Sequence, residues 1–127
     1  MLSHNALVVV ANGHLAVLFR NTAKHGIDLS EVERVTPTNL LDESQGKQPN
    51  ETTERDEDEA TFAKQLAERL NRMVLDHKVD DLAIIADPDT LGMMRKHYHK
   101  MLSAVLRKEL PKTLTHATGP EIARALA

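Results

Sequence analysis

Residues 7–20 read LVVVANGHLAVLFR, two apolar runs around an Asn-Gly pair, and the reading of this stretch decides the fold. Ala6 to Ala11 is a continuous β-branched run, as a strand buried on both faces requires. Leu15 to Phe19 repeats that character. Asn12-Gly13 between them is a hairpin signal whose type I′ turn needs positive φ at both central residues. A polar bend follows, and Val32 and Val35 mark a third, weaker strand stopped at Pro37.

Downstream the pattern changes twice. Residues 40–58, LLDESQGKQPNETTERDED, combine Gly, Pro and Asn with a dense acidic run and read as a long flexible loop. From Asp58 the period becomes helical. Phe62, Leu66, Leu70, Met73 and Val74 share one face of an amphipathic helix reaching about His77, and the acids Asp56 to Glu59 suit the positive end of its dipole. Asp81 to Ala86 is another buried strand. Asp87-Pro88 then starts a helix, with Asp as cap and Pro in the first turn, where its missing N–H is not needed.

Leu91, Met94, Tyr98, Met101, Leu102 and Val105 form one apolar stripe along that helix. Leu110 to Thr115 reads as a last strand, and Thr118 and Glu121 have capping-box spacing before a short C-terminal helix. The order is β-β-β-α-β-α-β-α. A hairpin meander followed by two αβ units implies an α/β fold with a single mixed β-sheet of about five strands and flanking helices. That order matches the ribonuclease-H-like architecture, in one domain over residues 1–127.

Composition sets outer bounds. Only 2% of the 127 residues are aromatic against 41% hydrophobic overall, so the core must be built from Val, Leu, Ile, Ala and Met. With no cysteine in the chain, disulfides, thiol nucleophiles and cysteine metal sites are excluded. MLSHNALVVVANG lacks a basic leader, and no run approaches the ~18 apolar residues of a membrane-spanning helix. A cytoplasmic protein without membrane insertion is the expectation. The net charge of −3 leaves the choice of partner to local charge.

Several residue sets could carry chemistry. Nucleases of the ribonuclease-H-like fold place carboxylates on the first strand, the first helix and the end of the fourth strand, because two metal ions need several anionic ligands. The corresponding residues are Asn12, Glu59 and Asp87, and Asn12 cannot carry the charge. Among the histidines, His97 and His99 are two apart and point to different sides of a helix, while His4, His14, His25, His77 and His116 are scattered. No metal site or cofactor is expected. Between Thr90 and Lys108 there is no acid, and Arg95, Lys96, Lys100 and Arg107 lie off the apolar stripe. At about 100° per residue, Lys96, Lys100 and Arg107 share an exposed face, a candidate contact for phosphates of RNA. Cations near helix C-termini also serve solubility and the dipole.

Three stretches, VVVANGHLAVLF, ATFAKQLAERL and DDLAIIADPDTLGMMRKHYHKML with the downstream RKELPKTLTH, together resemble the bacterial proteins required for attachment to host cells. Phe62-Ala63, Leu91-Gly92 and Arg95 match that family position by position. Asn12 stands where the family has Asp, Asp87-Pro88 partly replaces Ala-Pro-Pro, and Pro111-Lys112-Thr113-Leu114 blurs a Lys-Asp-Leu-like triplet. The family is in turn similar to the middle domain of archaeal and eukaryotic peptide-chain release factors. There a Gly-Gly-Gln tip before the first helix positions water for peptidyl-tRNA hydrolysis, and the resemblance sets Gly46, Lys47 and Gln48 in that place with one glycine of the two.

The resemblance implies a non-catalytic binding protein with an unidentified protein partner, acting in host attachment indirectly from the cytoplasm. The rival is a translation-associated factor that contacts the ribosome or tRNA through Arg95, Lys96, Lys100 and Arg107, with Gln48 at the loop tip. A metal-dependent nuclease is a minor alternative.

Overall fold

The computed structural model describes residues 2–37 and 55–127, the side chains of 55–58 excepted. Five strands form one sheet: β1 (Leu7–Ala11), β2 (Ala16–Asn21), β3 (Leu29–Val35), β4 (Leu82–Ala86) and β5 (Leu106–Pro111). Their order across the sheet is β3-β2-β1-β4-β5. β2 runs antiparallel to both neighbours, while β1, β4 and β5 are parallel. This is the mixed ribonuclease-H-like arrangement expected from the element order. All five residues of β1 and of β4 are buried, because these two strands sit at the centre with a layer of helix on each face.

Alternation along the strands builds two cores. Leu7, Val9, Leu82 and Ile84 face one layer, packed by α1 (Arg55–Leu75), α2 (Pro88–Arg95) and α3 (Lys100–Val105). Val8, Val10, Ala83 and Ile85 face the other, covered by Ile122 and Leu126 of α4 (Gly119–Leu126). Along α1 the buried positions Phe62, Ala63, Leu66, Ala67, Leu70 and Val74 follow the helical period. The cap signals act as expected. Asp87 Oδ2 accepts from Thr90 N at 3.1 Å. Thr118 and Glu121 complete a reciprocal capping box at α4.

Four expectations need correction. The flexible loop expected over 40–58 lies outside the described residues as far as 54, but its last residues, from Arg55, are the first turn of α1. Second, Asn12 and Gly13 do not make a type I′ turn: among the described residues only Asn5, Gly26 and His77 have positive φ. The register pairs Ala11 with Ala16 and leaves a four-residue connection. Asn12 shapes it with its side chain, Oδ1 accepting from His14 N at 2.8 Å and Leu15 N at 2.9 Å.

Third, the single helix expected after Pro88 is two short ones, broken at Lys96–His99. A continuous helix through Val105 would be about 27 Å long, against roughly 17 Å for the five-residue strand it must return along. Fourth, the last strand starts at Leu106, not Leu110, and ends at Pro111. A register shift at Leu82/Ala83 skips Arg107, so the period-2 signal that would have shown β5 is interrupted where it begins.

The C-terminus of α1 carries a local strain that can be relieved. His77 has φ 63°, with His77 N bonded to Val74 O at 3.0 Å and Lys78 N to Met73 O at 2.9 Å. These are the two bonds of a Schellman cap, whose left-handed residue is usually glycine. His77→Gly is expected to raise stability by roughly 0.5–1 kcal/mol, read as a higher urea midpoint at unchanged slope. A lower midpoint would show that the His77 side chain contributes more than its backbone strain costs.

Candidate functional site

The carboxyl ends of β1 and β4 bring the nuclease candidates to one end of the sheet. Ala11 pairs with Ala86, so Asn12 and Asp87 leave neighbouring strands side by side. Glu59 joins them from the first turns of α1. A Cβ on Gly13 would lie 2.7 Å from Glu59 Cγ and 2.8 Å from Cδ, so a side chain here would have to push the Glu59 side chain aside. His14 Nε2 contacts Glu59 Oε2 at 3.1 Å.

Each of these groups is already engaged. Asn12 spends its carbonyl on the turn, and its Nδ2 donates to Thr115 Oγ1 at 3.3 Å. Asp87 caps α2, and Glu59 meets His14. Among the described residues no three His, Asp or Glu side chains are grouped to hold a metal ion. The arrangement ties the β1–β2 turn to α1 and to the segment after β5.

The four basic residues do not share one helix face. Arg95 ends α2, Lys96 caps it, Lys100 opens α3, and Arg107 is on β5. Arg95 Nη2 donates to Glu109 Oε1 at 2.8 Å, and Tyr98 OH to Glu109 Oε2 at 3.3 Å. Burial, then the Glu109 charge, raises the Tyr98 phenol above its ordinary pKa. Arg107 Nε donates to Asp81 Oδ1 at 2.7 Å. A hydrogen bond from Ser3, then the Arg107 contact, holds the Asp81 carboxyl below the usual range. Arg95 and Arg107 are therefore committed to carboxylates.

Lys96 and Lys100 differ: both are exposed, and neither has an ion pair among the described residues. They flank the helix break, where Asn71 of α1 donates from Nδ2 to His97 O at 2.8 Å and accepts from His99 N at 2.9 Å. The sequence reading missed Asn71. Its one signal was a residue of poor helix propensity late in an otherwise regular helix. Gly46, Lys47 and Gln48 lie outside the described residues. On the opposite face of the sheet a cavity of about 500 Å³ lies between Gly26-Ile27 and α4, with Lys108 and Arg124 on its walls, and none of the predicted site residues lines it. No helix among the described residues is long and apolar enough to cross a membrane.

With this geometry in place, comparison with known proteins is informative on one point. No curated protein matches the chain. Among solved structures it is similar to the Ppx/GppA phosphatase of Aquifex aeolicus, in the crystal structure of its type II variant. Identity is 13% and the TM-score 0.45, over 83% of this chain and 35% of that one. The chain thus spans about a third of the phosphatase's length, and a likeness this distant carries no functional argument. A family profile, that of bacterial archaeo-eukaryotic release factor family 12, matches residues 5–126. That match bears out the relationship to release factors and does not carry the host-attachment name. The chain belongs to bacterial archaeo-eukaryotic release factor family 12.

Proposed function

We propose that this protein is a translation-associated binding protein, which meets ribosomal RNA or tRNA through backbone phosphates and does not itself release peptide. The observation that carries the reading is the family match over residues 5–126. Polyanionic RNA is the surface that a release-factor-like domain meets at a ribosome. Lys96 and Lys100 support the reading, as exposed ammonium groups with no ion pair among the described residues. Arg95 and Arg107 are reassigned from phosphate contact to structure, since each is held by an acid.

The Gly46-Lys47-Gln48 stretch supports binding rather than hydrolysis, because one glycine provides less backbone freedom than the two of a Gly-Gly-Gln tip. The protein acts in the cytoplasm in this reading. Attachment to host cells, which the sequence resemblance implied, becomes an indirect consequence of that activity.

The test is co-sedimentation of the tagged protein with ribosomes of its own cells across a salt series. Wild type is expected in the ribosomal fractions at low salt and to leave them as salt rises. A two-phosphate contact corresponds to a slope of roughly −1.4 to −1.8 in log affinity against log salt. Lys96→Glu with Lys100→Glu is expected to abolish the association at every salt concentration. Absence of wild type from all ribosomal fractions, even at low salt, would overturn the reading. A gene deletion that impairs host binding and leaves translation unchanged would favour attachment instead.

A further inference from the structure

The break between α2 and α3 contains neither Gly nor Pro, the usual local causes of a helix interruption. In a continuous helix the His97 carbonyl would accept from Met101 N, and His99 N would donate to the Arg95 carbonyl. Neither bond forms. Asn71 supplies both replacements through one carboxamide, at 2.8 Å to His97 O and 2.9 Å to His99 N. The His99 ring supplies a third, its Nδ1 accepting from Met101 N at 3.0 Å. Asn71 is on α1, 26 residues before His97, so the turn is tied to the helix packed against it. Every backbone group that the break exposes to Asn71 is thereby satisfied.

Lys96 and Lys100, exposed and without an ion pair among the described residues, stand on either side of this tied turn. We propose that Asn71 is the positioning residue of the phosphate contact: its carboxamide clasps the His97–His99 turn and so fixes Lys96 and Lys100 as one paired site for an RNA backbone. The inference rests on the reading of Lys96 and Lys100 given above. It adds a cause for their spacing, because an untied turn must lose its conformational freedom on binding, whereas a clasped one has lost it already.

The experiment compares wild type, Asn71→Ala, the Lys96→Gln/Lys100→Gln pair and the triple variant. Ribosome co-sedimentation is measured at one low salt concentration, and amide hydrogen exchange on each free protein. Asn71→Ala is expected to unprotect the His99 amide and to weaken association about tenfold, the equivalent of one to two hydrogen bonds. In the lysine-substituted background it should weaken association no further. An equal loss in both backgrounds would mean general structural damage and would overturn the positioning role, as would unchanged association alongside faster exchange in the turn. Should Asn71→Ala fail to fold, Asn71→Gln keeps the carboxamide at the wrong reach and is read in the same way. If wild type itself does not sediment, the RNA reading fails and the positioning role falls with it. If wild type sediments and the lysine pair does not, an unaffected Asn71→Ala sinks the clasp alone.

Discussion

Asn21→Ala is expected to destabilise the protein by about 3–4 kcal/mol, a large fraction of the roughly 5–15 kcal/mol that holds a typical domain together. Asn21 is the last residue of β2 and is fully buried. Its Nδ2 donates to Ser3 O and Gly26 O, both at 3.0 Å. Its Oδ1 accepts from Asp28 N at 2.9 Å and from Ala23 N at 3.2 Å. One side chain thus pins the N-terminal segment and closes the β2–β3 connection. Ser3 O keeps a second bond, from Ala6 N, so alanine would leave three backbone groups without a partner. Each costs about 1–3 kcal/mol when buried, and less where water reaches it. Asn21→Asp retains the acceptor but sets a buried carboxylate oxygen against the Ser3 and Gly26 carbonyls, so at neutral pH it should lose at least as much as alanine. Urea unfolding of the three proteins provides the measurement. A loss below about 1 kcal/mol for Asn21→Ala would mean that water replaces the carboxamide.

Phe62→Ala should cost a comparable amount, roughly 3–5 kcal/mol. Phe62 is 1% exposed and belongs to the core under α1. The chain has two Phe and no Trp, so this ring fills a volume that the surrounding Leu, Val and Ala side chains cannot close over. Phe62→Leu removes less volume and is expected to lose about 1–1.5 kcal/mol. Glu59 lies one turn upstream on the same helix, so loosening α1 should also free its contact with His14. Thermal unfolding resolves the stability term, and the His14 ring signals report the contact. Equal losses for Ala and Leu would indicate that ring shape, not volume, sets the packing.

The legible parts of the fold are those whose cause is local. The unbroken apolar runs of β1 and β4 announce strands covered on both faces. Asp87-Pro88 and Thr118 to Glu121 announce helix starts, because a cap acts over three residues. The period of Phe62, Leu66 and Leu70 announces the buried stripe of α1. Asn12-Gly13 correctly signalled a reversal but not its geometry. The dipeptide tolerates positive φ, yet the carboxamide of Asn12 bonds two amides of a longer turn instead. Among the candidate site residues, Lys96 and Lys100 remain without an ion pair among the described residues, whereas Arg95 and Arg107, which looked identical to them in sequence and are equally exposed, each meet a carboxylate.

Local spacings of a few residues therefore specify the central strands, the buried faces and the helix caps. Which charges find a partner, and where the second helix breaks, depend on long-range packing. Arg95 meets Glu109 only because the chain returns after the break as β5, and Arg107 meets Asp81 only because Leu82 pairs with Leu106. Asn71 reaches His97 only because α1 and the break share one layer. Such contacts join residues 14 to 28 positions apart. Their partners are selected by sheet register and helix packing, which no local spacing encodes.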